Sequence, residues 1–162
     1  MSDAYFSSFD GTRLWYEISG NGPRDIILCD GIGCDGFIWR YLGPKLEANA
    51  RVIHLHMRGH GKSDPPADPE NLGISDLADD WNELLTELDV AEPIVIGHSM
   101  GVQVALELFH RHRERVGALI LMCGSFENPA ATFHDDRLME LMLPYLRGAT
   151  KFGGERLRKI WS

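Results

Sequence analysis

A serine between two glycines is the residue of this chain best placed to do chemistry. It lies in segment 97–101, which reads GHSMG. An apolar run at 93–96 precedes the segment and a helical pattern begins at Val102, so the spacing predicts a sharp strand-to-helix turn. The flanking glycines let such a turn close and leave the Ser99 hydroxyl exposed at its tip. A hydroxyl held in this way can act as a nucleophile if a base lies within hydrogen-bond reach.

The chain has seven histidines that are candidate bases. His98 adjoins the serine, but adjacent side chains in a sharp turn point apart, so we expect it to pack beside the turn. Three others precede the serine and are predicted to be structural or solvent-facing: His54, His56 and His60. Two more fall roughly 16–20 Å along the following helix: His110 and His112. His134 remains, with Glu127 before it, and its alternative interpretation is the polar start of a helix.

The elements that must position these side chains follow from the periodicity of the sequence. A hairpin is predicted first, because Asp10-Gly11 separates two short strands. Apolar runs predicted to be strands follow at 25–29, 51–56, 94–96 and 116–123. Helical patterns lie between them at 37–48, at 74–90 and from 102 onward. This alternation predicts an α/β fold with parallel strands, right-handed crossovers and helices on both faces of the sheet.

Three loops that follow predicted strands carry motifs of one known family. Segment 30–33 (DGIG) is similar to the oxyanion-hole loop of α/β-hydrolases, 56–63 (HMRGHGKS) to their D-x-R-G-x-G-x-S loop, and 97–101 to their nucleophile elbow. The chain therefore resembles the N-terminal part of an α/β-hydrolase, with a core over 1–126 and a helical lid segment over 127–162. The implied fold is a mostly parallel sheet of about six strands, truncated before the strands that usually carry the catalytic acid and histidine.

The resemblance implies a serine hydrolase that acts on a small ester, lactone or similar acyl substrate, with no cofactor and no metal. Ser99 would be the nucleophile, and the backbone N–H groups of Ile32 and Met100 would be the oxyanion donors. Glu127 and His134 would keep the family's chain order of serine, acid and histidine as an improvised acid and base. Two alternatives stay open: a binding protein that keeps the pocket without the base, and a piece of a longer enzyme.

Two positions depart from the motifs of the family. Asp30 stands where a histidine usually begins the oxyanion-hole loop, and a carboxylate there would disfavour an oxyanion unless it pointed away. His56 stands where aspartate is common. Arg58, in the same loop as His56, is expected to anchor that loop by charge pairing.

Composition bounds the partners and the compartment. The net charge of −8 argues against nucleic acid as a partner. Cys29, Cys34 and Cys123 have no metal-type spacing and are expected to be reduced, buried thiols. No signal-peptide pattern and no apolar run of membrane-spanning length is visible, so a cytoplasmic location is predicted. The last predicted strand, 116–123, has an open edge, which predicts self-association or a complementing chain.

Overall fold

The computed structural model describes residues 2–125, which form one six-stranded sheet with helices on both faces. The strands are β1 (Ser2–Ser7), β2 (Arg13–Ser19), β3 (Asp25–Cys29), β4 (Arg51–Leu55), β5 (Ile94–His98) and β6 (Ala118–Met122). The helices are α1 (Gly43–Glu47), α2 (Ile74–Glu87) and α3 (Met100–Arg111), and two 3₁₀ turns cover Phe37–Trp39 and Arg113–Arg115.

The strand order across the sheet is β1-β2-β4-β3-β5-β6. The hairpin strands β1 and β2 are antiparallel, and β2 is also antiparallel to β4. The strands β4, β3, β5 and β6 run parallel to one another. The predicted fold class, a mostly parallel α/β sheet of about six strands, is confirmed.

Alternate residues of the central strands pack on opposite faces of the sheet, as the two-residue period of a strand requires. One face carries Ile27, Ile53 and Val95 against α2 and α3, with Trp81 of α2 fully buried in this layer. The opposite face packs against Trp39 and other apolar side chains near α1, and its strand residues are Ile26, Leu28, Val52 and Ile96. The continuous apolar runs in the sequence therefore reflect burial on both faces.

Several predicted boundaries differ from the observed ones. The helical stretch expected at 37–48 is a 3₁₀ turn followed by the five-residue helix α1. Strand β1 ends at Ser7, so the hairpin loop is longer than Asp10-Gly11 alone. Strand β5 runs to His98 and α3 begins at Met100, which leaves Ser99 as the single residue between them.

The predicted lid segment, 127–162, lies outside the described residues and stays a prediction. Within residues 2–125, every helix is too short or too polar to span a bilayer.

Candidate active site

Ser99 has a backbone conformation that few residues other than glycine adopt, with φ 54° and ψ −118°. Its N–H donates a hydrogen bond to the Met122 carbonyl at 3.0 Å, and its own carbonyl accepts one from the Val102 N–H at 3.0 Å. The sheet and the helix thus hold the strained residue from both sides. Strained backbone of this kind is concentrated at functional sites, because only a well-supported surrounding structure can maintain it.

The two glycines of the turn are required by close contact rather than by their own dihedral angles. A Cβ atom on Gly97 would lie 2.4 Å from the Gly101 carbonyl oxygen. A Cβ atom on Gly101 would lie 2.1 Å from the Cys29 carbonyl oxygen. The spacing of glycine, serine and glycine therefore lets β5, α3 and the end of β3 meet at one point.

The N-terminus of α3 points its first amides toward the region of Ser99. Met100 is the first residue of this 12-residue helix, so its N–H has no partner within the helix. The partial positive charge at a helix N-terminus adds to the attraction that such an amide exerts on an anion.

The loop that follows β3 lies against the serine turn. A Cβ atom on Gly31 would be 3.1 Å from Ser99 Cβ and 3.3 Å from His98 Nδ1. The loop closes through a hydrogen bond from the Cys34 N–H to the Gly31 carbonyl at 3.2 Å, with Gly33 at φ 72°. Ile32 is 74% exposed at the tip. The predicted oxyanion loop and the predicted nucleophile are therefore neighbours in the fold.

Neither the Ile32 amide nor the Met100 amide donates a hydrogen bond to another group within residues 2–125. An oxyanion hole needs N–H donors of this kind, because preorganised donors stabilise the negative charge that develops on a carbonyl oxygen.

Asp30 points away from the serine, which removes the conflict raised by a carboxylate at this position. The residue is fully buried. Its Oδ1 accepts a hydrogen bond from Trp39 Nε1 at 2.6 Å, and its Oδ2 lies 2.9 Å from His54 Nε2. Both carboxylate oxygens are therefore engaged inside the protein.

His54 lies between two carboxylates. Its Nε2 faces Asp30, and its Nδ1 is 3.5 Å from Glu17 Oε1. Burial lowers the pKa of the ring, but the hydrogen bonds and negative charges of Asp30 and Glu17 outweigh burial and raise the pKa of His54 to about 9. His54 is therefore a buried imidazolium at neutral pH, balanced by the two acids.

His56 has the opposite protonation state. Burial and the positive charge of His54, whose ring centroid is 5.2 Å away, lower the pKa of His56 to about 4. Its Nδ1 accepts a hydrogen bond from the Lys62 backbone N–H at 2.9 Å. His54 and His56 are buried, so the solvent-facing alternative for both is wrong and the structural one holds.

Glu127 and His134, the acid and base of the predicted triad, lie outside the described residues. Within residues 2–125, no side chain hydrogen-bonds to the Ser99 hydroxyl. His98 packs edge-on to Trp39, with ring centroids 6.3 Å apart, as expected for a residue beside the turn.

Arg58 anchors its loop, as the sequence predicts. The guanidinium is fully buried. Its Nε donates to Asp80 at 2.7 Å, and one terminal nitrogen donates to Asp10 at 2.7 Å and to the Asn71 carbonyl at 3.0 Å. These bonds tie the loop after β4 to the hairpin and to α2, so Arg58 has a structural rather than a catalytic role.

The cysteine predictions hold in part. Cys29 and Cys34 are buried free thiols, and burial raises the pKa of both. Cys123 is an exposed free thiol with φ 53°, so the expectation of burial is wrong for this residue.

Comparison with known proteins places this arrangement in a family. A profile described as the alpha/beta hydrolase fold matches residues 26–159. The chain belongs to this family. Relatives and structural neighbours of the chain include proteins described as esterases and epoxide hydrolases.

The chain is 35% identical over 121 residues to bifunctional epoxide hydrolase 2 of Rattus norvegicus. The matched segment covers 73% of this chain and 22% of that protein. It is similar to the structure of an esterase from Exiguobacterium antarcticum (TM-score 0.67, 29% identity, 72% of this chain and 43% of that chain). A carboxylesterase structure from Nitrososphaera gargenis is also similar (TM-score 0.76, 26% identity, 93% of this chain and 54% of that chain).

The chain spans between 21% and 34% of the length of the first curated relatives that it matches. The activity of each relative is thus the property of a longer protein.

The cluster formed by Glu17, Asp30 and His54 was not recognised from the sequence of this α/β-hydrolase. Strand register brings it together, because His54 on β4 is the direct partner of Glu17 on β2 and of Leu28 on β3, two residues before Asp30. The sequence held one signal of this cluster. His54 lies within an apolar strand run and Asp30 directly follows another, and buried polar groups at such positions need partners.

Proposed function

We propose that this α/β-hydrolase is a serine hydrolase that acts on a small ester, lactone or similar acyl substrate. The observation that supports this most directly is the strained Ser99 at the N-terminus of α3, with the amides of Ile32 and Met100, which have no hydrogen-bond partner within residues 2–125. Ser99 is the nucleophile in this proposal and the two amides are the oxyanion donors.

The proposed reaction has two steps. Ser99 Oγ attacks the carbonyl carbon while a base takes the hydroxyl proton, and the carbonyl oxygen becomes an oxyanion between the two amides. The C–O bond to the alcohol then breaks, the alcohol takes the proton, and an acyl-serine ester remains. Water attacks that ester, releases the carboxylic acid and restores Ser99.

The epoxide hydrolase relatives suggest another reaction, which a serine nucleophile disfavours. A serine hydroxyl that opened an epoxide would form an ether, and water does not cleave an ether under mild conditions. An acyl-serine ester has a carbonyl carbon that water can attack, so an acyl substrate returns the enzyme to its starting state. Ser99 therefore favours the esterase-type relatives as guides to the chemistry.

The acid and base of the proposal are Glu127 and His134, in the chain order of the family. The alternative is a non-catalytic binding protein, and the observation that favours it is the lack of a hydrogen-bonded base at Ser99 within residues 2–125. In the same proposal, segment 127–162 is a helical lid segment.

Labelling of the full chain with a fluorophosphonate tests the nucleophile. The wild type and the control Ser75→Ala should be labelled, and Ser99→Ala should not. Ser75 is a suitable control because it lies in the first turn of α2, away from the turn at Ser99. Absent labelling of folded wild-type protein, or labelling that survives Ser99→Ala, would contradict the proposal.

Hydrolysis of p-nitrophenyl acetate and butyrate tests the base. His134→Ala should lower the rate by several orders of magnitude, because triad members act as a unit. The matched control is His110→Ala, which removes an exposed histidine near the end of α3. Labelling without turnover in the wild type would favour the binding-protein alternative.

We also propose that a second copy of the chain pairs with the outer edge of β6. Strand β6 has a hydrogen-bonded neighbour on one side only within residues 2–125, and Ile120 and Leu121 are 46% and 45% exposed. An unpaired strand edge presents free N–H and C=O groups to another chain.

A cytoplasmic location is part of the same proposal. The three free thiols are compatible with a reducing compartment. Cell fractionation that finds the protein outside the cytoplasm would contradict it.

A further inference from the structure

The loop after β3 joins a buried carboxylate to an exposed tip over three residues. Asp30 is fully buried and Ile32 is 74% exposed. Gly31 links them and lies against Ser99 and His98. The position of the Ile32 amide therefore depends on what holds the loop at Asp30.

The Asp30 side chain is held on both oxygens. Trp39 Nε1 donates to Oδ1 at 2.6 Å, and His54 Nε2 lies 2.9 Å from Oδ2. Glu17 holds the other side of the His54 ring at 3.5 Å. Gly36 leaves room for this ring, since a Cβ atom at Gly36, where φ is 91°, would be 2.6 Å from His54 Cε1.

The Asp30 backbone meets the helix that carries the second amide. A Cβ atom on Gly101 would lie 2.6 Å from the Asp30 carbonyl oxygen. The same residue thus contacts the sheet interior through its carboxylate and the first turn of α3 through its carbonyl. Both contacts fix the loop relative to Met100.

We propose that Asp30 is a positioning residue for the oxyanion hole: its carboxylate, held by Trp39 and His54, fixes the loop so that the Ile32 amide faces Ser99 together with the Met100 amide. The inference rests on the proposed serine hydrolase function. It also explains how an acid is accommodated in this loop, because the charge is directed inward and balanced by His54.

The charged and titratable groups around His54 come from three strands and their loops. Asp30 and Glu17 are acidic partners, and His56, directly after β4, is the adjacent imidazole. The positive charge of Lys62 lowers the pKa of Glu17 and so acts on His54 only indirectly. Removing the Asp30 charge leaves the buried imidazolium with Glu17 alone.

The test uses the full chain and diethyl p-nitrophenyl phosphate, which phosphorylates an activated serine and releases p-nitrophenol. Asp30→Asn keeps the shape of the side chain and should lower the maximal inactivation rate by about 10- to 100-fold, since loss of one oxyanion donor costs about 10²–10³. The half-saturating concentration should stay within about twofold, because the charge removed does not touch the reagent.

Asp25→Asn is the matched control. Asp25 is the first residue of β3, at the opposite end of the strand from the loop, and pairs with Arg51. Its inactivation rate should equal that of the wild type, even if its stability falls. Equal rates for folded Asp30→Asn and wild type would overturn the proposal.

A second measurement does not depend on serine reactivity. Backbone ¹⁵N relaxation of the Ile32 amide should show a rigid loop in the wild type and a mobile one in Asp30→Asn. The His54 imidazole should titrate at lower pH in Asp30→Asn than in the wild type. An Ile32 amide with unchanged dynamics in the variant would overturn the proposal.

These measurements separate the inference from the proposed function. A wild type that the phosphate reagent does not modify contradicts the proposed nucleophile, and ¹⁵N relaxation then decides the role of Asp30 alone. If Asp30→Asn does not fold, Trp39→Phe replaces it, because it removes one donor to Asp30 and keeps an aromatic ring. Trp39→Phe should show the same changes at smaller size, and wild-type behaviour in both measurements would overturn the proposal.

Discussion

The backbone of Gly101 lies directly against the carbonyl group of Cys29, so that a Cβ atom at Gly101 would be 2.1 Å from the Cys29 oxygen. Two backbones meet at this point, and neither can move aside as a flexible side chain would. Gly101→Ala should therefore lower the free energy of unfolding by about 3 kcal/mol or more, as overpacking does when the surroundings cannot relax. Urea unfolding followed by circular dichroism measures the change.

Gly43→Ala is the matched control for this prediction. Gly43 begins α1, and the nearest atoms to a Cβ there are at 3.7 and 4.0 Å, which is ordinary contact distance. Its effect should lie within about 1 kcal/mol of zero. Equal losses in the two variants would show that the contact with Cys29 is not the cause.

The strain at Ser99 predicts a variant that is more stable and inactive. Glycine adopts φ 54° without steric cost, whereas serine does not. Ser99→Gly should raise the free energy of unfolding by about 1–2 kcal/mol and abolish labelling by a fluorophosphonate. Chemical denaturation of the two proteins, run in parallel with labelling, gives both results. A destabilised Ser99→Gly protein would show that the hydroxyl supports the fold.

The buried guanidinium of Arg58 should be essential for stability. Arg58→Met leaves Asp80 buried without its cation, at a cost of about 3–5 kcal/mol. Arg13→Met is the matched control, because Arg13 pairs with Asp64 at the surface and its side chain is 60% exposed. The control should change the free energy of unfolding by less than about 1 kcal/mol. Thermal or urea unfolding of both variants checks the difference.

The charge on His54 predicts a loss of stability at alkaline pH. Its pKa is about 9 in the folded protein against 6.5 for an ordinary histidine. The resulting stabilisation is complete below pH 6.5 and is lost as the pH rises through 9, with a total of roughly 3 kcal/mol. Urea unfolding between pH 6 and pH 10 should show this decline in the wild type and in His110→Gln. His54→Gln should lack it, and a decline unchanged in that variant would contradict the assignment.

His56 predicts the opposite slope on the acid side. Its pKa is lowered to about 4, so the unfolded chain binds a proton more readily than the folded one as the pH falls from 6.5 toward 4. This effect on the free energy of unfolding is absent above pH 6.5, where the His56 ring is neutral in both states. As the pH falls from 6.5 toward 4, the free energy of unfolding declines. The same unfolding series, extended to pH 4 and repeated with His56→Gln, measures this contribution.

The open edge of β6 predicts a concentration-dependent dimer. Size-exclusion chromatography coupled to light scattering should give twice the mass of one chain at high protein concentration. Leu121→Lys should give the monomer, since a charge next to the edge opposes pairing. Tyr41→Lys is the control, because Tyr41 is an exposed aromatic residue outside the sheet. A monodisperse wild-type monomer that unfolds cooperatively would exclude the second copy.

The strands and the serine turn could be predicted from the sequence, because both depend on local patterns. Strand β3 has the predicted bounds, since Asp25–Cys29 is an apolar run limited by turn residues. The serine turn followed from two glycines at fixed spacing. The prediction of one helix over 37–48 was wrong. The apolar spacing of this segment fits a helix, but Gly36 at φ 91° and Gly43-Pro44 divide it into a 3₁₀ turn and a short helix.

The surroundings of Asp30 could not be predicted in the same way. The partner His54 is 24 residues away in sequence, and the second acid, Glu17, comes from an antiparallel strand. Only strand order and register bring the three together. Sequence patterns report which face of a strand is apolar, and they do not report which polar residue on a neighbouring strand is opposite.

The hydrogen bond from the Ser99 N–H to the Met122 carbonyl joins the candidate nucleophile to the last strand of the described sheet. Ser99 is therefore one residue from β5 and one hydrogen bond from β6. Anything that pairs with, twists or displaces β6 acts on the backbone angles of the serine. The rate at which Ser99 reacts with a phosphonate should then differ between protein whose β6 edge is paired and protein whose β6 edge is free.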